Sequence, residues 1–166
     1  MTTTVTPATR RWAVDPAQSV VEFSVPTFWG LTAVKGQFDR FEGSYVRGAV
    51  GEIELEIDAT SLDTGNQMRD KHLKSEDFFA IDDHPTVRFT STNVVEKLDG
   101  TLLVTGELGV AETTVPISFT ATVLDEGDSL EIETTLTVDQ MEFGMSSGML
   151  GMIRRPATLH VKTRLN

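Results

Sequence analysis

Val115-Pro116-Ile117-Ser118-Phe119-Thr120-Ala121-Thr122-Val123 alternates apolar and polar residues, and so does Leu130-Glu131-Ile132-Glu133 continuing to Leu136-Thr137-Val138. Successive side chains of an extended chain point to opposite faces, so each stretch reads as a strand with one wet face and one buried face. The same period returns in Ile53, Leu55 and Ile57 between glutamates, and in Leu159, Val161 and Leu165 between His160, Lys162 and Arg164. Half-buried strands of this kind belong to antiparallel sheets.

Turn residues separate the strands. Asp99-Gly100, between Val87-to-Leu98 and Thr101-to-Leu108, predicts a two-residue hairpin loop. Glu126-Gly127-Asp128 marks the next turn, and Gly48 with Gly51 an earlier one. Counting from Trp12 gives about eight strands, most of them long. Long strands in hairpin order favour an all-β, eight-stranded antiparallel up-and-down barrel over a sandwich of short strands. The expected organisation is one β-barrel domain over residues 11–166 behind a flexible tail at residues 1–10.

One segment breaks the alternation. Thr64-Gly65-Asn66-Gln67 has capping-box spacing, with Thr64 as N-cap. Met68 to Lys74 are good helix formers, and Ser75-Glu76-Asp77-Phe78-Phe79 could start a second short turn. The expectation is a helical insertion around residues 65–79 that brings Met68, Leu73, Phe78 and Phe79 towards the core.

Composition narrows the function. The 166 residues are 39% apolar, enough for a real core. There is no cysteine, which removes disulfides, thiolate metal sites and thiol nucleophiles. The net charge of −11 and a pI near 4.6 argue against nucleic acid and against docking on an anionic membrane. No apolar run is long enough for stable membrane insertion, and the polar residues 1–11 lack the hydrophobic stretch of a secretory signal. A cytoplasmic protein is therefore expected.

Catalytic and metal constellations find little support. His160 falls on the wet face of the last strand and is expected to be solvated. His84 in Asp82-Asp83-His84-Pro85 reads as a turn, and His72 sits on the insertion. Asp70, His72, Asp82, Asp83 and His84 lack metal-ligand spacing, so no metal is expected. There is no glycine-rich strand-to-helix loop. No cofactor and no catalytic residue is therefore assigned. The enzymatic alternative is a lipid-modifying enzyme or isomerase with Asp70 and His72 as acid and base.

Two stretches suit neither a regular strand nor a solvated loop. One is Phe28-Trp29-Gly30-Leu31-Thr32-Ala33-Val34; the other runs from Met141 to Ile153 and holds four of the six methionines. Methionine is flexible and polarisable, and is frequent on adaptable binding surfaces. Both stretches are compatible with an apolar cavity or with an irregular plug that closes the barrel and leaves no room for a ligand. Arg154-Arg155 either meets an anionic head group at a cavity mouth or answers surface carboxylates.

A longer pattern adds to this. Asp63-Thr64-Gly65, Arg69-Asp70-Lys71-His72-Leu73-Lys74-Ser75-Glu76-Asp77-Phe78-Phe79 and His84-Pro85-Thr86-Val87-Arg88-Phe89-Thr90-Ser91-Thr92 together resemble the signature of the YceI-like family. Trp12-Ala13-Val14-Asp15, Val21-to-Val25, Gly36-Gln37-Phe38, Phe41-Glu42-Gly43, Gly106-Glu107-Leu108 and Val115-Pro116-Ile117 extend the likeness from about Trp12 to Leu165. The resemblance implies a lipocalin-like barrel that holds a polyisoprenoid or another long-chain lipid, often as a homodimer, with no catalysis. Many relatives are exported. The chain departs from the family pattern at Pro26-Thr27-Phe28-Trp29, where a histidine is usual. It also departs at Val115 and Gln140, where a basic residue is usual. Each departure removes a polar or positive group, which implies a less anionic or wholly apolar ligand.

The expected function is non-catalytic binding, transport or storage of such a ligand. The candidate lining is Phe23, Val25, Phe28, Trp29, Leu31, Val34, Phe38, Phe79, Phe89, Met141, Phe143, Met145 and Met149, with Arg154 at the mouth.

Overall fold

The structure, a computed structural model, describes residues 10–27, 32–48, 50–75, 79–143 and 157–166. The expected tail at residues 1–10 thus falls, except for Arg10, outside the described residues. The strands are β1 (Arg10–Ala13), β2 (Val20–Thr27), β3 (Thr32–Phe38), β4 (Phe41–Arg47), β5 (Glu52–Asp58) and β6 (Leu62–Asp63). After helix α1 (Gln67–Leu73) come β7 (Thr86–Glu96), β8 (Thr101–Val110), β9 (Thr113–Asp125), β10 (Leu130–Val138) and β11 (Ala157–Leu165).

All eleven strands share one antiparallel sheet, in the order β1-β4-β5-β7-β8-β9-β10-β11-β2-β3-β6. The sheet returns on itself. Val14, just past β1, bridges Leu165 of β11, and Ala13 and Asn166 exchange backbone hydrogen bonds of 2.9 Å. Closing a sheet in this way satisfies the backbone groups that an edge strand would leave unpaired.

The strand count exceeds the expected eight for a local reason. β1 and β2 are one long strand, broken by a 3-10 turn at Pro16–Gln18 that Asp15 caps. β3 and β4 are likewise one strand, interrupted at Asp39 and Arg40. With these joined and the two-residue β6 set aside, eight staves run round the barrel.

The turns follow the glycines, with one correction. β7 ends at Glu96, not Leu98, and the loop to β8 is longer than two residues. The Gly100 amide donates to the Lys97 carbonyl, and Lys97 donates to Thr101. Gly100 takes φ +85°, the left-handed conformation of a type I turn followed by a bulge. Asp99 accepts from the backbone and hydroxyl of Thr101, which holds the longer loop in place. Gly127, at φ +88°, performs the predicted turn between β9 and β10. A register shift between Ser91 and Asn93 places a bulge in β7, which bends the strand round the barrel.

The insertion is shorter than expected, at seven helical residues. Its N-cap is Asn66, whose side-chain oxygen accepts from the Arg69 amide at 3.1 Å. Thr64 instead receives the Arg69 side chain and donates its amide and hydroxyl to Asp70. Asn, being as good a cap as Thr and two residues nearer the helix, wins that position. Met68, expected to turn inward, is 84% exposed, while Leu73 is buried. Phe78 lies outside the described residues.

Candidate functional site: an apolar cavity with one closed end

The inward face of the barrel is not packed shut. Along β9, Val115, Ile117 and Phe119 point away from solvent, yet each is only half-buried, while Thr114, Pro116, Ser118 and Thr120 on the other face are exposed. Ile132, Val138, Leu159 and Val161 show the same partial exposure on the adjoining strands. In a filled core such residues would be covered almost completely. Between them lies a cavity of about 190 Å³.

Its wall is apolar by construction. Val25, Ile53, Leu55, Ile57, Val87, Leu108, Val110, Ile117, Ile132, Leu136, Leu159 and Val161 supply aliphatic surface from around the barrel. Two aromatic groups add to it. Phe38 lies 5.6 Å from Phe23 and 5.8 Å from Phe79, ring centre to ring centre, and Phe89 lies 5.4 Å from Phe119. Two threonines on the wall have their hydroxyls engaged by the backbone. Thr134 donates to the Thr120 carbonyl at 2.9 Å and Thr163 to the Ile132 carbonyl at 3.1 Å. Glu54 is the one charged residue bordering the cavity among the described residues, and it is solvent-exposed. By the space one water needs, the volume corresponds to on the order of a dozen waters. A buried water needs two to four polar partners, and this wall has few to offer.

The two ends differ. At the end where β11 finishes, Trp12, Tyr45, Leu102, Leu130 and Leu165 are at most 2% exposed. Trp12 stands opposite Tyr45, and Leu130 opposite Leu165, in the strand register. Outside this plug Arg47 grips Glu96 with two nitrogens at 3.0 and 3.1 Å and reaches Asp125 at 3.0 Å, tying β4, β7 and β9 together. Burial, reinforced by the neighbouring Glu96, pushes the Tyr45 phenol above its ordinary pKa. The opposite end is bordered by Leu73 and Phe79 of the insertion and by Phe143, with half-buried Val25 and Val138 beside them.

Of the residues expected to line the cavity, Phe23, Val25, Phe38, Phe79, Phe89 and Phe143 do so. Val34 is half-buried on the same face of β3 as Phe38, but the cavity does not extend to it. Met141 belongs to a 3-10 turn, Gln140–Phe143, and its side chain is outside the described residues, as are Phe28, Trp29, Leu31, Met145, Met149 and Arg154. Most of the wall from β9, β10 and β11 was missing from the expected set. The alternation that identified those strands also fixes which parity faces in, so Ile117, Ile132, Leu159 and Val161 were within reach of the sequence.

Several polar groups outside the cavity have structural partners. Asp70 receives the backbone and hydroxyl of Thr64, and neither Asp70 nor His72 borders the cavity. The described residues contain no group of three or more side chains able to hold a metal ion. His160, expected to be merely solvated, sits between two carboxylates, with Nδ1 3.0 Å from Glu22 and Nε2 3.0 Å from Glu133. Alternation located its face but said nothing of its cross-strand neighbours. The bonds to Glu22 and then Glu133 raise the His160 pKa, and that to His160 lowers the Glu133 pKa.

Comparison with known proteins agrees with this architecture. The sequence profile described as the YceI-like domain matches residues 12–165. A UPF0312 protein of Shewanella denitrificans is 33% identical over 154 residues, which cover 90% of this chain and 80% of the relative. Several Vibrio relatives align over 60% of their own length, so the chain spans less than two thirds of them. Burkholderia cenocepacia BcnA superposes with a TM-score of 0.82 at 20% identity, covering 91% of this chain and 98% of that one. A polyisoprenoid binding domain from Saccharophagus degradans, implicated in plant cell wall breakdown, gives 0.78 at 15% identity, covering 93% and 97%. At these identities the structural likeness establishes the fold.

Proposed function

The chain belongs to the YceI-like family, and from that premise we propose that it holds one long-chain apolar molecule inside its barrel, for transport or storage, without altering it chemically. The ligand class is a polyisoprenoid, an isoprenoid quinone or a fatty-acid-like lipid. The observation that carries this reading is the cavity of about 190 Å³ whose wall is apolar and whose threonine hydroxyls are engaged by the backbone. The polyisoprenoid binding named for the Saccharophagus degradans domain supports the same class.

Transfer from water to such a wall yields about 0.8 kcal/mol per methylene, so a five-carbon isoprene unit contributes roughly 3–4 kcal/mol. Association and loss of tail freedom cost several kcal/mol. A few units therefore reach about micromolar affinity without a polar contact. Polar groups would set orientation more than strength.

The test is native mass spectrometry and organic extraction of freshly purified protein, followed by titration of the delipidated protein with farnesol and geranylgeraniol. A bound hydrocarbon, or tighter binding of the longer alcohol, is the expected result. Protein that carries nothing and binds neither alcohol overturns the proposal.

A further inference from the structure

One end of the cavity is closed. Tyr45 and Leu165 form its innermost border at the end where β11 finishes, and Trp12, Leu102 and Leu130 lie behind them, at most 1% exposed. The Arg47–Glu96–Asp125 cluster covers the same end from outside. We propose that this floor is a length stop: a linear ligand enters hydrocarbon end first, its tail abuts Tyr45 and Leu165, and the protein discriminates among chains by how far they reach. The inference deepens the binding reading above and rests on it.

Three observations bear on it. The floor is rigidly built, because Leu165 is held by the ladder to Leu130 on one side and by the closing bridge to Val14 on the other. The deep half offers little to a polar terminus, since Thr134 and Thr163 already donate to backbone carbonyls and Ser44 and Tyr45 add only two further hydroxyls. The opposite border, by contrast, sets half-buried Phe79 and Val138 beside the buried Leu73 and Phe143. A tail thus gains burial with each carbon until it meets the floor. Carbons added after that remain at the opposite end and gain less.

The experiment displaces the neutral fluorescent probe N-phenyl-1-naphthylamine with straight-chain primary alcohols of increasing length. In the natural protein affinity is expected to rise by about fourfold per methylene and then to break to a shallower slope. Leu165→Ala removes side-chain volume at the floor and should move the break to chains longer by about two or three carbons. Thr163→Leu adds volume just above the floor and should move it to chains shorter by about one carbon. Leu73→Ala, at the opposite border, should weaken binding without moving the break. A break that stays put in both floor variants, with binding intact, overturns the length stop and leaves the binding reading standing. Failure of the natural protein to bind any alcohol overturns that reading instead. Should Leu165→Ala fail to fold, Thr163→Leu alone decides the matter, because it creates no void.

Discussion

Two glycines face the barrel interior with almost the same crowding and should nevertheless respond unequally to alanine. A methyl group on Gly106 would lie 2.4 Å from the Thr90 carbonyl oxygen and 2.6 Å from the Phe89 ring. That carbonyl belongs to the β7–β8 ladder, so relief requires strands to part. A methyl on Gly36 would lie 2.4 and 2.7 Å from the Phe23 ring and 2.9 Å from the Thr64 methyl. Phe23 borders the cavity, so its ring has somewhere to go. Forcing extra carbon into a filled region costs about 1–3 kcal/mol, and glycine to alanine returns roughly 0.4–1 kcal/mol through the unfolded chain. Gly106→Ala should therefore destabilise by about 1–2 kcal/mol or more, and Gly36→Ala by less than about 1 kcal/mol. The displaced Phe23 ring should in turn cost several-fold in affinity for an apolar probe. Urea denaturation at constant m measures the first pair of values, and probe titration the last. Equal destabilisation by the two alanines, or a large loss in Gly36→Ala, would refute the claim that space lies behind Phe23.

Other consequences are simpler to state. Arg47→Met removes the fork on Glu96 and the contact with Asp125, both partly exposed, and should lower stability by about 1 kcal/mol in a salt-dependent way. Asp70→Ala should cost about 1–2 kcal/mol by leaving the Thr64 amide without its acceptor, while apolar-probe affinity stays within about twofold; a complete loss of binding would tie Asp70 to the ligand. A neutral imidazole carries a single N–H, so His160 satisfies both Glu22 and Glu133 only when protonated. Its raised pKa means that the associated stability is fully present below the unfolded histidine value near 6.5 and is lost as pH rises through the higher folded value. NMR titration of the His160 ring should show a midpoint above that of a free histidine, and His160→Gln should flatten the pH dependence of the urea midpoint in that window; an ordinary midpoint would remove the clasp.

The strands were legible because half-buried antiparallel chains write their orientation into every second residue. The β9 run from Val115 and the β10 run from Leu130 both appear where alternation places them. Interruptions were harder to see. The 3-10 turn at Pro16–Gln18 divides one strand into β1 and β2, and depends on Asp15 capping a turn that a propensity count passes over. The cap of α1 was misplaced because Thr64 and Asn66 both offer a side-chain oxygen, and the choice rests on where Arg69 and Asp70 fold back. His160 illustrates a further limit. Its partners lie 138 and 27 residues away and meet it only through the β2–β11–β10 register.

The cavity was the least legible feature, and the reason is geometrical. Period two records which face a side chain occupies, and an inward valine reads the same whether it touches a neighbour or borders a void. What decides between plug and cavity is volume summed across the barrel. On β10 and β11 the inward positions are mostly Ile, Val, Leu and Thr, and the larger Phe23, Phe38 and Phe79 gather on one side. Medium-sized residues across an eight-stave barrel reach the axis only where large ones oppose them. That happens at the closed end, where Trp12 and Tyr45 meet Leu102, Leu130 and Leu165. The distribution of side-chain size along the barrel therefore produces a floor at one end and a void above it. A sequence reading that weighs inward residues by size, stave by stave, would have found both.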